Sequence, residues 1–190
     1  MDELISEFSN EFRKTSGLIA FAHFGIKQFA ESIPWLISEE NPDPKMNLGS
    51  TPPTAENARA AATWHKSELE SAVAPQGWLQ QITSQGWITA THSRWEFYYR
   101  PKIAKLFEVS VGSVLSDAMA DINNLRNDII HHGGKASKKN TGKNKVLTRF
   151  SVGEEIILSE DDIWLLEDNL FIEIVSFHVR TRIFAGSPHL

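Results

Sequence analysis

Asp121-Ile122-Asn123-Asn124-Leu125-Arg126-Asn127-Asp128-Ile129-Ile130-His131-His132-Gly133-Gly134 is the stretch that decides how this chain is read. Apolar residues recur at Leu115, Ala118, Met119, Ile122, Leu125 and Ile129, the three- and four-residue spacing of a buried helix face. Asn124, Asn127, Asp128 and His131 keep the same spacing and make a second, polar stripe. Two glycines then stop the helix, because glycine adopts the left-handed backbone of a helix end without steric cost. This motif helix is expected over about 113–132.

Arg126 is the unusual residue, with Ile122, Ile129 and Ile130 as its helical neighbours. A guanidinium that cannot lose its charge needs a partner or ligand there, or lays its stem on apolar surface and puts its head in water. A five-residue step on a helix turns through about 500°, which leaves Arg126 and His131 roughly 140° apart. One helix therefore does not present them as a close pair. Two copies packed about a two-fold axis can, since an isologous contact sets residue i of one against residue j of the other. Asn127 lies four residues before His131 and can hydrogen-bond and orient its imidazole.

Arg126-Asn127-x-x-x-His131, near a helix end and followed by a glycine break, resembles the signature of the HEPN superfamily. The resemblance covers about the last two-thirds of the chain, and the first third adds nothing to it. It implies an all-α fold, an up-and-down bundle of about five helices. One domain is expected over 1–190: an N-terminal helical segment (1–40), a Pro-rich loop (41–54) and the HEPN-like core (55–185). The resemblance further implies a homodimer that cleaves RNA without metal at its interface, as a toxin or antiviral defence effector. The ribose 2′-hydroxyl attacks the adjacent phosphate, leaving a 2′,3′-cyclic phosphate and a 5′-hydroxyl. That chemistry needs a proton-transfer group near neutrality and a fixed cation on the developing negative charge. Carried over, Arg126 holds the phosphate, His131 moves the proton, and Asn127 orients His131 or contacts phosphate. Gly133 stands where some subfamilies carry a Tyr, so no subfamily is implied, nor AMP transfer to such a Tyr.

The alternative is a catalytically inactive HEPN-like dimerisation module that binds RNA or protein, since folds outlive activities. Arg126 and His131 are then interface hydrogen-bonding groups. An antitoxin or other regulatory protein is a further partner compatible with either reading. A plain helical protein requires the short motif to be chance.

The basic segment after the motif has its own two readings. Lys135, Lys138, Lys139, Lys143, Lys145 and Arg149 fall in a stretch from Ile129 to Gly153 that contains no carboxylate. It is either a solvated loop or an RNA-attracting patch, with Lys135, Lys138, Lys139 and Lys143 the RNA contacts, and mobile on both readings. Asp128, His132 and Glu96 are candidate supporting residues. Glu96 reaches Arg126 if their helices pack antiparallel.

Composition bounds the rest. The 190 residues are 41% hydrophobic and 23% charged, ordinary values for a globular protein. With no cysteine, disulfides, thiolate metal sites and a cysteine nucleophile are excluded, and a reducing cytoplasm suits the chain. A net charge of −5 excludes generic polyanion binding. His131 and His132 point about 100° apart on a helix and chelate poorly. No HExxH, GxSxG or Walker loop occurs, so neither metal nor cofactor is expected. Leu18 to Ile26 is too short to span a bilayer and follows Asp2, Glu3, Glu7 and Glu11, so neither anchor nor secretion signal is expected.

Elsewhere, residues 2–38 read as helix, with His23 a core histidine. Thr54 caps a helix from Ala55 to about Val73, which Pro75-Gln76-Gly77 interrupts. Residues 78–107 suit a long helix bent at Pro101. Its Trp95, Phe97, Tyr98 and Tyr99, interleaved with Arg94 and Arg100, are core or a base-stacking platform, and core is favoured. Val146–Phe150 and Glu155–Leu158 read as a small β-hairpin before the last helix. Ser159 caps that helix, which runs through Ile163, Leu166, Leu170, Ile174 and Phe177 to about Ile183.

Overall fold

The structure, a computed structural model, describes residues 2–36, 43–49, 59, 61–175 and 180–184. The chain divides into two compact units, Met1–Phe21 with Gln81–Leu190, and Ala22–Gln80. It is mainly helical with small sheets.

In the first unit, α1 (Asp2–Ser32) supplies Ile5, Phe8, Phe12 and Ile19, a buried stripe at helical spacing. Phe8 packs against Trp95 and Tyr99, with ring centroids 5.1 and 4.7 Å away, and Phe12 against Trp87 at 5.5 Å. Those partners lie on α3 (Trp78–Arg94) and on the wide π turn that follows it (Trp95–Tyr99). The Arg100 N–H reaches back five residues to the Trp95 carbonyl, and α4 (Arg100–Leu106) continues. Pro101 has no N–H to give and its ring crowds the carbonyl four residues earlier, so a wide turn is the local solution. The expected bend is thus a π turn just ahead of the proline.

The aromatic group divides as core more than platform. Trp95 and Tyr99 are buried, whereas Phe97 is 80% exposed. Arg94 is paired with Glu11 at 2.7 Å and lies over the Tyr98 ring. Arg100 is paired with Glu96.

The motif helix, α5, is Asp117–His131 and starts later than expected. Ser116 caps it by accepting from the Met119 N–H. Val114 and Leu115, read as part of the helix, are instead a short strand, β3 (Val114–Leu115). Gly133 and Gly134 have φ of +62° and +79°, and the Gly134 N–H bonds the Asp128 carbonyl. A Cβ on Gly134 would meet Gln85 Nε2 at 2.3 Å, which a turn of that side chain relieves, so it is the positive φ that favours glycine there.

Two expectations fail beyond α5. There is no hairpin over 146–158: Lys135 bridges Glu155, with Ala136 N–H to Glu154 O and Ile156 N–H to Gly134 O. The N–H groups of Lys145, Val146 and Leu147 go to the Asp121 carboxylate instead of to a second strand. The last helix, α6 (Glu160–Asp168), has the expected Ser159/Asp162 capping box but stops well short of 183. The chain turns through Asn169 into β4 (Phe171–Val175), which pairs antiparallel with β3 on one side and β5 (Arg180–Phe184) on the other. Ile172 and Ile174 are buried between less buried neighbours, a period of two that the run Leu170, Ile174 also lets pass as helical. Phe177 lies outside the described residues.

In the second unit, β1 (Lys45–Leu48) pairs antiparallel with β2 (Ala62–His65), and α2 (Lys66–Val73) follows directly. The Pro-rich segment therefore contains a strand, and the helix expected from 55 begins only at Lys66. Thr54 lies outside the described residues. Ile33, Leu69 and Val73 form the core here, with Ile26, Phe29 and Trp64 against them. Gly77 turns so tightly on α2 that a Cβ would sit 2.6 Å from the Ala72 carbonyl. His23 is buried, as expected.

Candidate active site

Helix α5 has two faces of different character. Ala118, Ile122 and Leu125 pack in the core, and Asp121 and Asp128 are buried with them. Ala120, Asn123, Arg126, Asn127, Ile130 and His131 fall on the opposite stripe, where Ala120, Ile130 and His131 are exposed and the others half-buried. Asp128 thus leaves the polar stripe to which its spacing assigned it.

The Asp128 carboxylate accepts from the Ser137 N–H (2.8 Å) and hydroxyl (2.7 Å), the Asn140 amide (2.7 Å), and the Thr141 N–H (3.1 Å) and hydroxyl (2.6 Å). Burial pushes this carboxyl up, but the bonds from Thr141, Ser137 and Asn140 outweigh it and hold it at about 2. Asp121, one heptad earlier on the same face, accepts from three consecutive N–H groups, Lys145 to Leu147, at 2.7 to 3.0 Å. Asn124 adds a bond to Asn144. The basic segment, read as mobile, is therefore anchored to α5 at both ends by buried carboxylates.

The anchoring sorts the basic residues. Lys145 pairs with Asp117 at 2.7 Å, and Arg149 pairs with Asp162 and Glu154. Lys135, Lys138, Lys139 and Lys143 are exposed, without an ion pair among the described residues.

Around Arg126 the partners differ from those expected. Glu96 accepts from Arg100 at 2.9 and 3.1 Å and not from Arg126. Four residues separate Glu96 from Arg100 on one helix, and that local pairing wins over a contact between helices. Arg126 Nη1 donates to Asn127 Oδ1 at 3.1 Å. Asn127 is accordingly committed to Arg126 rather than to the imidazole it was expected to orient. His131 is exposed, and its side chain has no hydrogen bond among the described residues. His132 is exposed, with Nε2 3.9 Å from Asp128 Oδ1, beyond hydrogen-bond reach. No group of three His, Asp or Glu side chains converges among the described residues.

Beside the motif lies a cleft that the sequence pattern did not announce. His92, Trp95, Glu96, Arg100, Ser116, Met119 and Asn123 are among its walls, and its volume is about 350 Å³. Burial lowers the His92 pKa, and the positive charge of Arg126 lowers it further, against opposing effects of Glu96 and a hydrogen bond with Asn123. The available signal was the step His92, Glu96, Arg100, a polar stripe at four-residue spacing within an otherwise aromatic segment.

No protein-family model matches this chain, and the searches of curated proteins and of solved structures give no match either. No helix among the described residues is long and apolar enough to cross a membrane.

Proposed function

We propose that this protein is a HEPN-like, metal-independent endoribonuclease that acts as a homodimer, a toxin or antiviral effector that cuts RNA. The reading rests on the open stripe of α5, which carries Arg126, Asn127 and His131 within the last two turns of the helix. Arg126 is half-buried, permanently charged and has no carboxylate partner among the described residues, which leaves its charge available for a phosphate. Asn127 holds the guanidinium in place. His131 is an exposed imidazole at the same helix end, where its ring nitrogens are open to a substrate proton. In a dimer, the His131 of one protomer serves the Arg126 of its partner. Lys135, Lys138, Lys139 and Lys143, displayed on an anchored loop, draw the strand in.

A second reading has one observation in its favour. His131 lacks an orienting partner among the described residues, as expected of a binding module that has kept the scaffold without the chemistry. The decisive experiment incubates purified protein with tRNA or mRNA in EDTA, beside Arg126→Ala and His131→Ala. The nuclease reading expects cleavage with 2′,3′-cyclic phosphate ends, lost in both variants. Equal behaviour of all three proteins rejects it, and RNA binding without cleavage supports the module.

A further inference from the structure

The cleft beside Arg126 has features that the phosphate chemistry does not use. Its apolar wall is Trp95, Val114, Leu115 and Met119, of which Leu115 is 43% exposed. Its polar edge includes His92 and Asn123. Arg100 also faces it, but that charge is already taken. Its Nε donates to the Val114 carbonyl at 3.0 Å and its Nη1 to Glu96. The cleft is therefore poorly suited to a free anion. A lining that is part apolar and part hydrogen-bonding suits a neutral, planar, polar ring.

Size and place agree with that. Pockets for small ligands span roughly 300–1,000 Å³, and 350 Å³ lies at the lower end. Asn123 sits one turn, about 5 Å along the axis, before Arg126 and Asn127 on the same stripe. A ligand in the cleft is thus covalently within reach of a phosphate at Arg126. The π turn contributes Trp95 and Glu96 to the cleft, and such turns recur at functional sites.

We propose that this cleft receives the base of one nucleotide of the RNA strand and thereby sets where the strand is cut. The inference rests on the nuclease reading for its link to cleavage, though not for base binding itself. The His92 ring and the Asn123 amide offer polar atoms to a base edge, while Leu115 offers apolar surface to its face.

The test uses uridine, cytidine, adenosine and guanosine as separate probes, with no phosphate present. Backbone amide shifts of Val114 to Asn123 are followed by NMR in the whole protein. Saturable shifts with at least one nucleoside are expected. Ala120→Trp places a ring from an exposed lining position into the cleft without touching the core. It should weaken nucleoside binding about tenfold or more, the scale of stacking one base, and leave the urea midpoint in place. It should also flatten the base preference at the cut sites. Absence of any saturable shift up to nucleoside solubility overturns the proposal, as does undiminished binding by Ala120→Trp. Nucleoside binding with no cleavage rejects the nuclease reading and leaves the cleft. Arg126-dependent cleavage without nucleoside binding does the reverse.

Discussion

The two faces of α5 both carry ionisable side chains, aspartates on one and arginine and histidine on the other, and use them in opposite ways. On the buried face, Asp121 and Asp128 have their acceptor capacity filled by loop donors. On the open face, Arg126 has one amide oxygen and His131 has no hydrogen-bond partner among the described residues. Buried charge is tolerated only when it is fully hydrogen-bonded, so the first set is architecture. Charge left underused at the surface is what a ligand can recruit. Substitutions on the two faces should therefore damage different properties.

The sharpest way to break this contrast is Asp128→Ala. It strands five donors, and we expect a loss on the order of 3–5 kcal/mol in urea unfolding. A loss under about 1 kcal/mol, the scale of a single ordinary hydrogen bond, would mean that the loop is not held by this carboxylate. Next, Arg126→Ala should leave stability within about 0.5 kcal/mol and lower cleavage about 10²–10³-fold, as removal of a charge-stabilising donor does. Comparable unfolding of Arg126→Ala and Asp128→Ala would erase the distinction between the faces.

Acid supplies a third test. The Asp128 carboxyl lies at about 2 in the folded protein against an ordinary value of 3.8, so its contribution is complete above 3.8 and is lost as pH falls toward 2. Linkage puts the size at about 2 kcal/mol, absent from an Asp128→Asn background. Parallel acid curves for the two proteins would refute it. The smallest effect is expected at the exposed lysines. Replacing Lys138, Lys139 and Lys143 by Ala should lower the salt slope of RNA binding by about 0.7 for each phosphate no longer neutralised, with stability unchanged. An unaltered slope would make the loop a bystander.

Some of this was legible in the residues. The periodicity of Ile122, Leu125 and Ile129 and the paired glycines locate α5 and its end. The Ser159/Asp162 capping box locates the start of α6. Asp121 and Asp128 share the apolar face at seven-residue spacing, a hint of burial that polarity masked. Their partners at 137–147 follow no period, so nothing local announces them. Likewise Phe171–Val175 satisfies both the helical and the extended pattern over five residues. Only pairing with β3 and β5 selects the strand.

The chain by itself determined its helix faces, its breaks and the candidacy of Arg126 and His131, because these depend on side-chain type at fixed local spacing. Tertiary structure alone decided that Asp121 and Asp128 anchor a loop, and that His92 and Asn123 share a cleft beside Arg126. Those outcomes depend on which donors arrive from distant segments, and a buried polar group takes the partners that reach it.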